Sequence, residues 1–145
     1  MKKLVLSLFT ASVITGCTTP LDEIYETTST NVNVDKFKTI CIFDYTPNIE
    51  YSSIKYYKSG SNLIGPVSRV MPKFLNYADR LDGNTIINFE GKQKFGFWPW
   101  RLVRPVVYGT AVEWEAKSDA SCKQLGGRVY AIESHRKVMD VTGQI

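Results

Sequence analysis

Three cysteines, one histidine and an aromatic hairpin carry the chemistry this sequence could do. Cys17 is the most informative. It follows Met1-Lys2-Lys3, an apolar run from Leu4 to Ile14, and Thr15-Gly16. A basic start and an apolar stretch of about eleven residues make a secretory signal, too short to remain as a spanning helix. Ile14-Thr15-Gly16-Cys17 adds the pattern read by lipoprotein signal peptidase, which needs small residues before the cut and a thiol after it to carry diacylglycerol. The sequence thus predicts that residues 1–16 are a cleaved leader and that Cys17 becomes an acylated N-terminus. Thr18 and Thr19 follow it, where aspartate would retain a lipoprotein in the inner membrane. The expected address is the outer membrane, with the domain in the periplasm. Several acyl chains make such an anchor stable, whereas one chain binds only marginally.

With Cys17 committed to lipid, Cys41 and Cys122 remain. Two thiols in an oxidising compartment are most simply a disulfide; the alternative is two separately buried thiols. His135 lies among polar neighbours, Ser134 and Arg136, and nothing near it in sequence supplies a nucleophile and carboxylate for catalysis. No Cys-x-x-Cys, paired histidines or glycine-rich phosphate loop occurs, so no enzyme, metal site or cofactor beyond the covalent lipid is expected. A haem or small-ligand binder is an alternative reading, with His135, Met71 or Met139 as ligands to iron.

Phe95-Gly96-Phe97-Trp98-Pro99-Trp100-Arg101-Leu102-Val103-Arg104-Pro105 sets four large rings and two arginines within eleven residues. Hairpin tips are normally polar. Part of this segment can fold back over a sheet, and Trp and Arg also suit bilayer headgroups. Because the lipid already supplies anchoring, the stronger expectation is protein docking through Phe97, Trp98, Trp100, Arg101 and Arg104, since Trp and Arg dominate interface hot spots. Tyr51, Tyr56 and Tyr57 form a candidate second patch.

The elements that position these groups follow from periodicity. Residues 17–36 are rich in Thr, Ser and Asn and read as a tether, with an r.m.s. reach of ~25 Å and ~60 Å when extended. Thr39 to Phe43 suits a buried strand, and 44–62 a long loop with at most one short edge strand. Val67, Val70, Met71, Phe74, Leu75, Ala78 and Leu81 recur with helical period, Pro72 marking a kink or the true start, and Gly83 the expected left-handed cap. Strands are expected at 85–90, 106–114 and 128–132, and a short helix from Ser118 to Leu125. The fold class is α+β: one main helix packed on a small, mainly antiparallel sheet in a β-α-β-β core, plus a short C-terminal helix. The domain spans 37–132, followed by a polar tail, 133–145.

Removing 16 of the 145 residues leaves 129, enough for one domain. Loss of Lys2 and Lys3 lowers the formal charge from +4 to +2, so nothing points to nucleic acid.

The run Ala78-Asp79-Arg80-Leu81-Asp82-Gly83-Asn84-Thr85-Ile86-Ile87-Asn88, then a hairpin and Tyr108-Gly109-Thr110-Ala111-Val112, resembles the RcsF / YbjQ-like fold family of small envelope proteins. The resemblance spans about forty residues. It implies the α+β fold, an envelope location and a stress-sensing role as one alternative. The heavy-metal-binding label of the YbjQ-like members finds no ligand cluster here. Asp82-Gly83 stands where the family has Gly-Ala, and two of the four cysteines of the stress sensor are missing. Taken together, the sequence predicts a non-catalytic lipoprotein that acts as an interaction subunit of a periplasmic assembly, such as the outer-membrane core complex of a type IV secretion system.

The lipid reading has a direct check. Cells fed radiolabelled palmitate should label the protein, whereas Cys17→Ser should lose the label and retain the leader as an increase in mass.

Overall fold

The structure is a computed structural model and describes residues 18–19, 36–95 and 103–144. It is α+β. Seven strands, β1 (Thr18–Thr19), β2 (Lys38–Ile42), β3 (Ser52–Gly60), β4 (Thr85–Lys94), β5 (Arg104–Glu113), β6 (Arg128–Ser134) and β7 (Lys137–Asp140), share one sheet with helices α1 (Met71–Arg80) and α2 (Asp119–Gln124). The path runs β3-β5-β4-β2-β6-β7, and β1 pairs with β4 off this path. Every pairing is antiparallel except β2 with β4, where Cys41 faces Thr85 and Ile42 faces Ile86. That parallel pair requires a crossover, which α1 provides.

The helix forms where apolar residues recur every three to four positions. A 3-10 turn, Val67–Val70, leads into α1, and Pro72 sits in its first turn, where its missing N–H breaks no bond. Met71, Phe74, Leu75 and Ala78 face the sheet and are buried against Ile40, Ile42, Ile86, Phe89 and Val107. Burial of each large side chain contributes about 1.5–3 kcal/mol before entropy is counted. The helix crosses over Gly109 because nothing larger fits: a Cβ there would stand 2.7 Å from Ile86 Cγ2 and 3.1 Å from Phe74 Cζ.

The end of α1 differs from the expected cap. Asp82, not Gly83, takes the left-handed conformation, at φ 59°. Its N–H donates to Asp79 O, and the Gly83 N–H reaches back to Ala78 O. This is a Schellman arrangement, and aspartate tolerates the left-handed region better than most residues. Asn84 then fastens the chain to β5: its side-chain Nδ2 donates to Trp114 O, and its Oδ1 accepts from the Trp114 N–H.

The other face of the sheet holds a second core of Cys41, Phe43, Ile87, Val112, Trp114, Cys122, Val129, Ala131 and Val141. α2 covers it. Its Ser118 cap accepts from the Ser121 N–H, and Gly126, at φ 76°, ends it. Cys122 is disulfide-bonded to Cys41 on β2. Beside the disulfide, Lys117 Nζ donates to Thr39 O, and Thr39 Oγ1 donates to Asp119 Oδ1.

Three expectations change. Residues 52–60, expected as loop with at most a short edge strand, form the full nine-residue edge strand β3. The 133–145 stretch is no polar tail: β6 continues to Ser134, β7 pairs back on it, and Val138 and Val141 are buried. The hairpin strands also run further than expected, to Lys94 and from Arg104. Of the tether, Thr18 and Thr19 pair with β4 and Lys36 is described; Cys17 and residues 20–35 lie outside the described residues, as does the leader.

The disulfide spans 81 positions, so its loss should cost about 4 kcal/mol, or roughly 10–20 °C of melting temperature. Cys122→Ala and the Cys41→Ala/Cys122→Ala pair should melt together, and reduced wild type should match them.

Candidate interaction surface

The two faces of the sheet are covered unequally. α1 lies across one. On the other, α2 sits over the half formed by β2 and β6, leaving the outer face of β3 and β5 uncovered among the described residues. Strand alternation decides what shows there. Tyr57 lies opposite Gly109 and turns to the helix, while Tyr56, opposite Thr110, turns away and is 63% exposed.

Tyr57 is therefore a core residue, and the expectation that it serves an interaction patch is corrected. Its ring stacks on Phe74 at 4.4 Å between centroids, and its hydroxyl donates to Phe74 O at 2.9 Å. Burial, followed by the neighbouring Tyr77, holds the phenol well above the usual tyrosine range. Consecutive tyrosines on a strand point to opposite faces, so the pair could not both have served one patch.

Tyr51 is exposed at the far end of β5, where Ser52 pairs with Glu113. It borders an open groove of about 520 Å³ with Ile49, Glu50, Glu113, Trp114 and Glu115. Arg104 begins the same strand. The length of β5 thus separates Tyr51 from Arg104, about 30 Å at strand rise. Tyr51, Tyr56 and Arg104 do not converge on one spot; Tyr56 alone looks outward from the middle of the open face. Phe97, Trp98, Trp100 and Arg101 lie outside the described residues, as does Cys17.

At the hairpin end, Arg104 has company that sequence reasoning missed. Lys58, Lys94 and Tyr108 line a groove of about 220 Å³ with it, Lys94 Nζ lying 5.1 Å from the centre of the Tyr108 ring. Lys58 comes from the segment expected to be loop, so only the register of β3 reveals its company: Lys58 faces Tyr108.

The residues considered as iron ligands are dispersed. Met71 is fully buried in the core under α1, whereas Met139 packs against the second core on the opposite face. His135 lies in the turn between β6 and β7, its Nδ1 3.1 Å from Asn76 Oδ1.

No family model matches the sequence, and no curated protein matches it. Among solved structures the chain is similar to a protein of unknown function from Pediococcus pentosaceus, placed in the DUF74 family, at 19% identity and a TM-score of 0.43. The similarity covers 51% of this chain and 96% of that one.

The Tyr57 environment gives a pH signature. In the unfolded chain its phenol ionises near ~10, but in the folded protein it stays neutral beyond that. The unfolded state then binds fewer protons, so folding stability is intact below ~10 and falls as pH rises above it. Denaturant titrations should show this decline weakened in Tyr57→Phe, which should also cost about 1 kcal/mol at neutral pH through the lost hydrogen bond.

Proposed function

We propose that this protein is a lipid-anchored, non-catalytic interaction subunit of a periplasmic envelope assembly, held at the outer membrane through Cys17. The secretion-system core complex is the kind of assembly that suits a tethered domain of this size. The Ile14-Thr15-Gly16-Cys17 pattern supports the anchor.

The observation that carries the docking role is the uncovered half of the sheet. β3 is nine residues long and stands at the edge of the sheet path, and its Tyr56 is exposed on the uncovered face. Exposed edge strands offer unpaired backbone groups to an added strand, and proteins that do not use them usually blunt them. Here the blunting consists of Lys55, Lys58 and a register shift between Ser53 and Lys55. Lys55 lies on the helix face, where it donates to the Tyr77 hydroxyl at 3.1 Å. A partner that adds a strand to β3 would cover Tyr56 and extend the sheet.

Mild detergent extraction followed by lysine cross-linking and mass spectrometry tests this reading. Cross-links from Lys55 or Lys58 to another envelope protein are expected. Recovery as a monomer with no such cross-links would sink it.

A further inference from the structure

The backbone of the tether does not leave the domain where its sequence would suggest. Thr18 pairs with Lys92 and Thr19 with Gly91, on the side of β4 that β2 occupies further back, at Thr85 and Ile86. Lys92 in turn faces Val106, which faces Gly60, so one row crosses the sheet from Thr18 to β3 at its hairpin end. Thr18, which follows Cys17 in the sequence, is thereby paired at this end of the domain.

That end has the composition of a membrane-facing surface. Phe95 is 81% exposed, Leu63 66% and Ile64 61%, all large apolar side chains set beside cations. The loop that carries Leu63 and Ile64 is tied down against the hairpin. The Ser61 N–H donates to Pro105 O at 3.1 Å, Gln93 Nε2 to Gly65 O at 3.1 Å, and Arg69 Nη1 to Ile64 O at 2.7 Å. Lys58, Lys94 and Arg104 line the groove alongside, and the Nε of Arg104 is buried without a partner. Against these cations stands Glu90, which is paired with Lys92. The opposite end of β3 and β5 carries Glu50, Glu113 and Glu115 instead. The two ends are about 30 Å apart, far beyond the ~8 Å over which a charged surface is felt at physiological salt. An anionic leaflet would therefore attract the hairpin end without repelling the acidic one.

We propose that the hairpin end of the sheet, with Lys58, Lys94 and Arg104 beside Leu63, Ile64 and Phe95, lies against anionic phospholipid headgroups. The inference rests on the acylation of Cys17 proposed above. It orients the domain: β3 and β5 rise from the bilayer at their hairpin ends, and the Glu113 end faces the periplasm. Tyr56, midway along the open face, is left accessible to a partner from the side.

Full-length acylated protein, reconstituted in phosphatidylethanolamine–phosphatidylglycerol vesicles with a headgroup quencher, provides the test. A fluorophore on Leu63→Cys should be quenched, and one on Glu115→Cys should not. Adding Lys94→Glu and Arg104→Glu to the Leu63→Cys protein should remove the quenching while leaving the protein folded by circular dichroism and still bound to vesicles. Equal quenching at both sites, or at neither, overturns the orientation while leaving the anchor standing. A Leu63 label that is unquenched in vesicles but shielded in the intact envelope overturns it in favour of a protein partner at that end. Mass spectrometry of the N-terminal peptide is read first. Absence of acyl chains on Cys17 defeats the anchoring reading and takes this orientation with it.

Discussion

β4 is the strand on which the rest of the molecule is built. Its first residues, Thr85, Ile86 and Ile87, are flanked by β2 and β5, and their side chains are buried alternately under α1 and in the second core. Asn88 then adopts a positive φ of 51°, and the register with β5 shifts between Ile87 and Glu90. Such a bulge places one extra residue in the strand and resets which face each later side chain meets. Phe89 consequently returns to the helix side, while Glu90 and Lys92 turn to the open face. One strand thus serves as the centre of the core in its first half and as an arm that leaves the core in its second.

The two halves of the sheet are stabilised by different means. Over β4 and β5 the cover is α1, a regular amphipathic helix seated on Gly109. Over β2 and β6 the cover is α2, only six residues long and too short to hold itself by helical bonding alone. The disulfide to Cys41 and the Thr39–Lys117–Asp119 contacts fix it there, and Tyr45 donates to Leu125 O beyond its end. Stability is thereby concentrated in the covered half. The outer face of β3 and β5 has no such cover among the described residues, and it is there that the proposed partner and membrane contacts fall.

The proposed lipid on Cys17 and the basic, apolar hairpin end would combine in a simple way. An acyl anchor fixes distance but not orientation. In the proposed arrangement the hairpin end, beside which Thr18 and Thr19 pair with β4, supplies the second contact, and two contacts define a direction. Redundant anchoring was the reason, from sequence, to favour a protein partner over lipid for the hairpin. The placement of Lys58 and Leu63 at the same end supplies what that reasoning lacked.

Local pattern was enough to read the helix from Val67 onward, the α+β class and the strands at β2, β4, β5 and β6. Each is written in adjacent residues, as apolar positions recurring at a helix or strand period. The cysteine count alone raised the Cys41–Cys122 pair but could not exclude two buried thiols; only the fold brings the sulfurs together. β3 and β7 escaped because their sequences, Ser-Ser-Ile-Lys-Tyr-Tyr-Lys-Ser-Gly and Lys-Val-Met-Asp, are polar enough to pass for loop and tail. They become strands by pairing with β5 and β6, whose backbone groups need partners. The separation of Tyr56 from Tyr57, the left-handed Asp82 and the return of Thr18 to β4 are likewise tertiary. A short segment states what its side chains prefer, but which neighbour satisfies its backbone, and hence which face each side chain meets, is settled by residues far away in the chain.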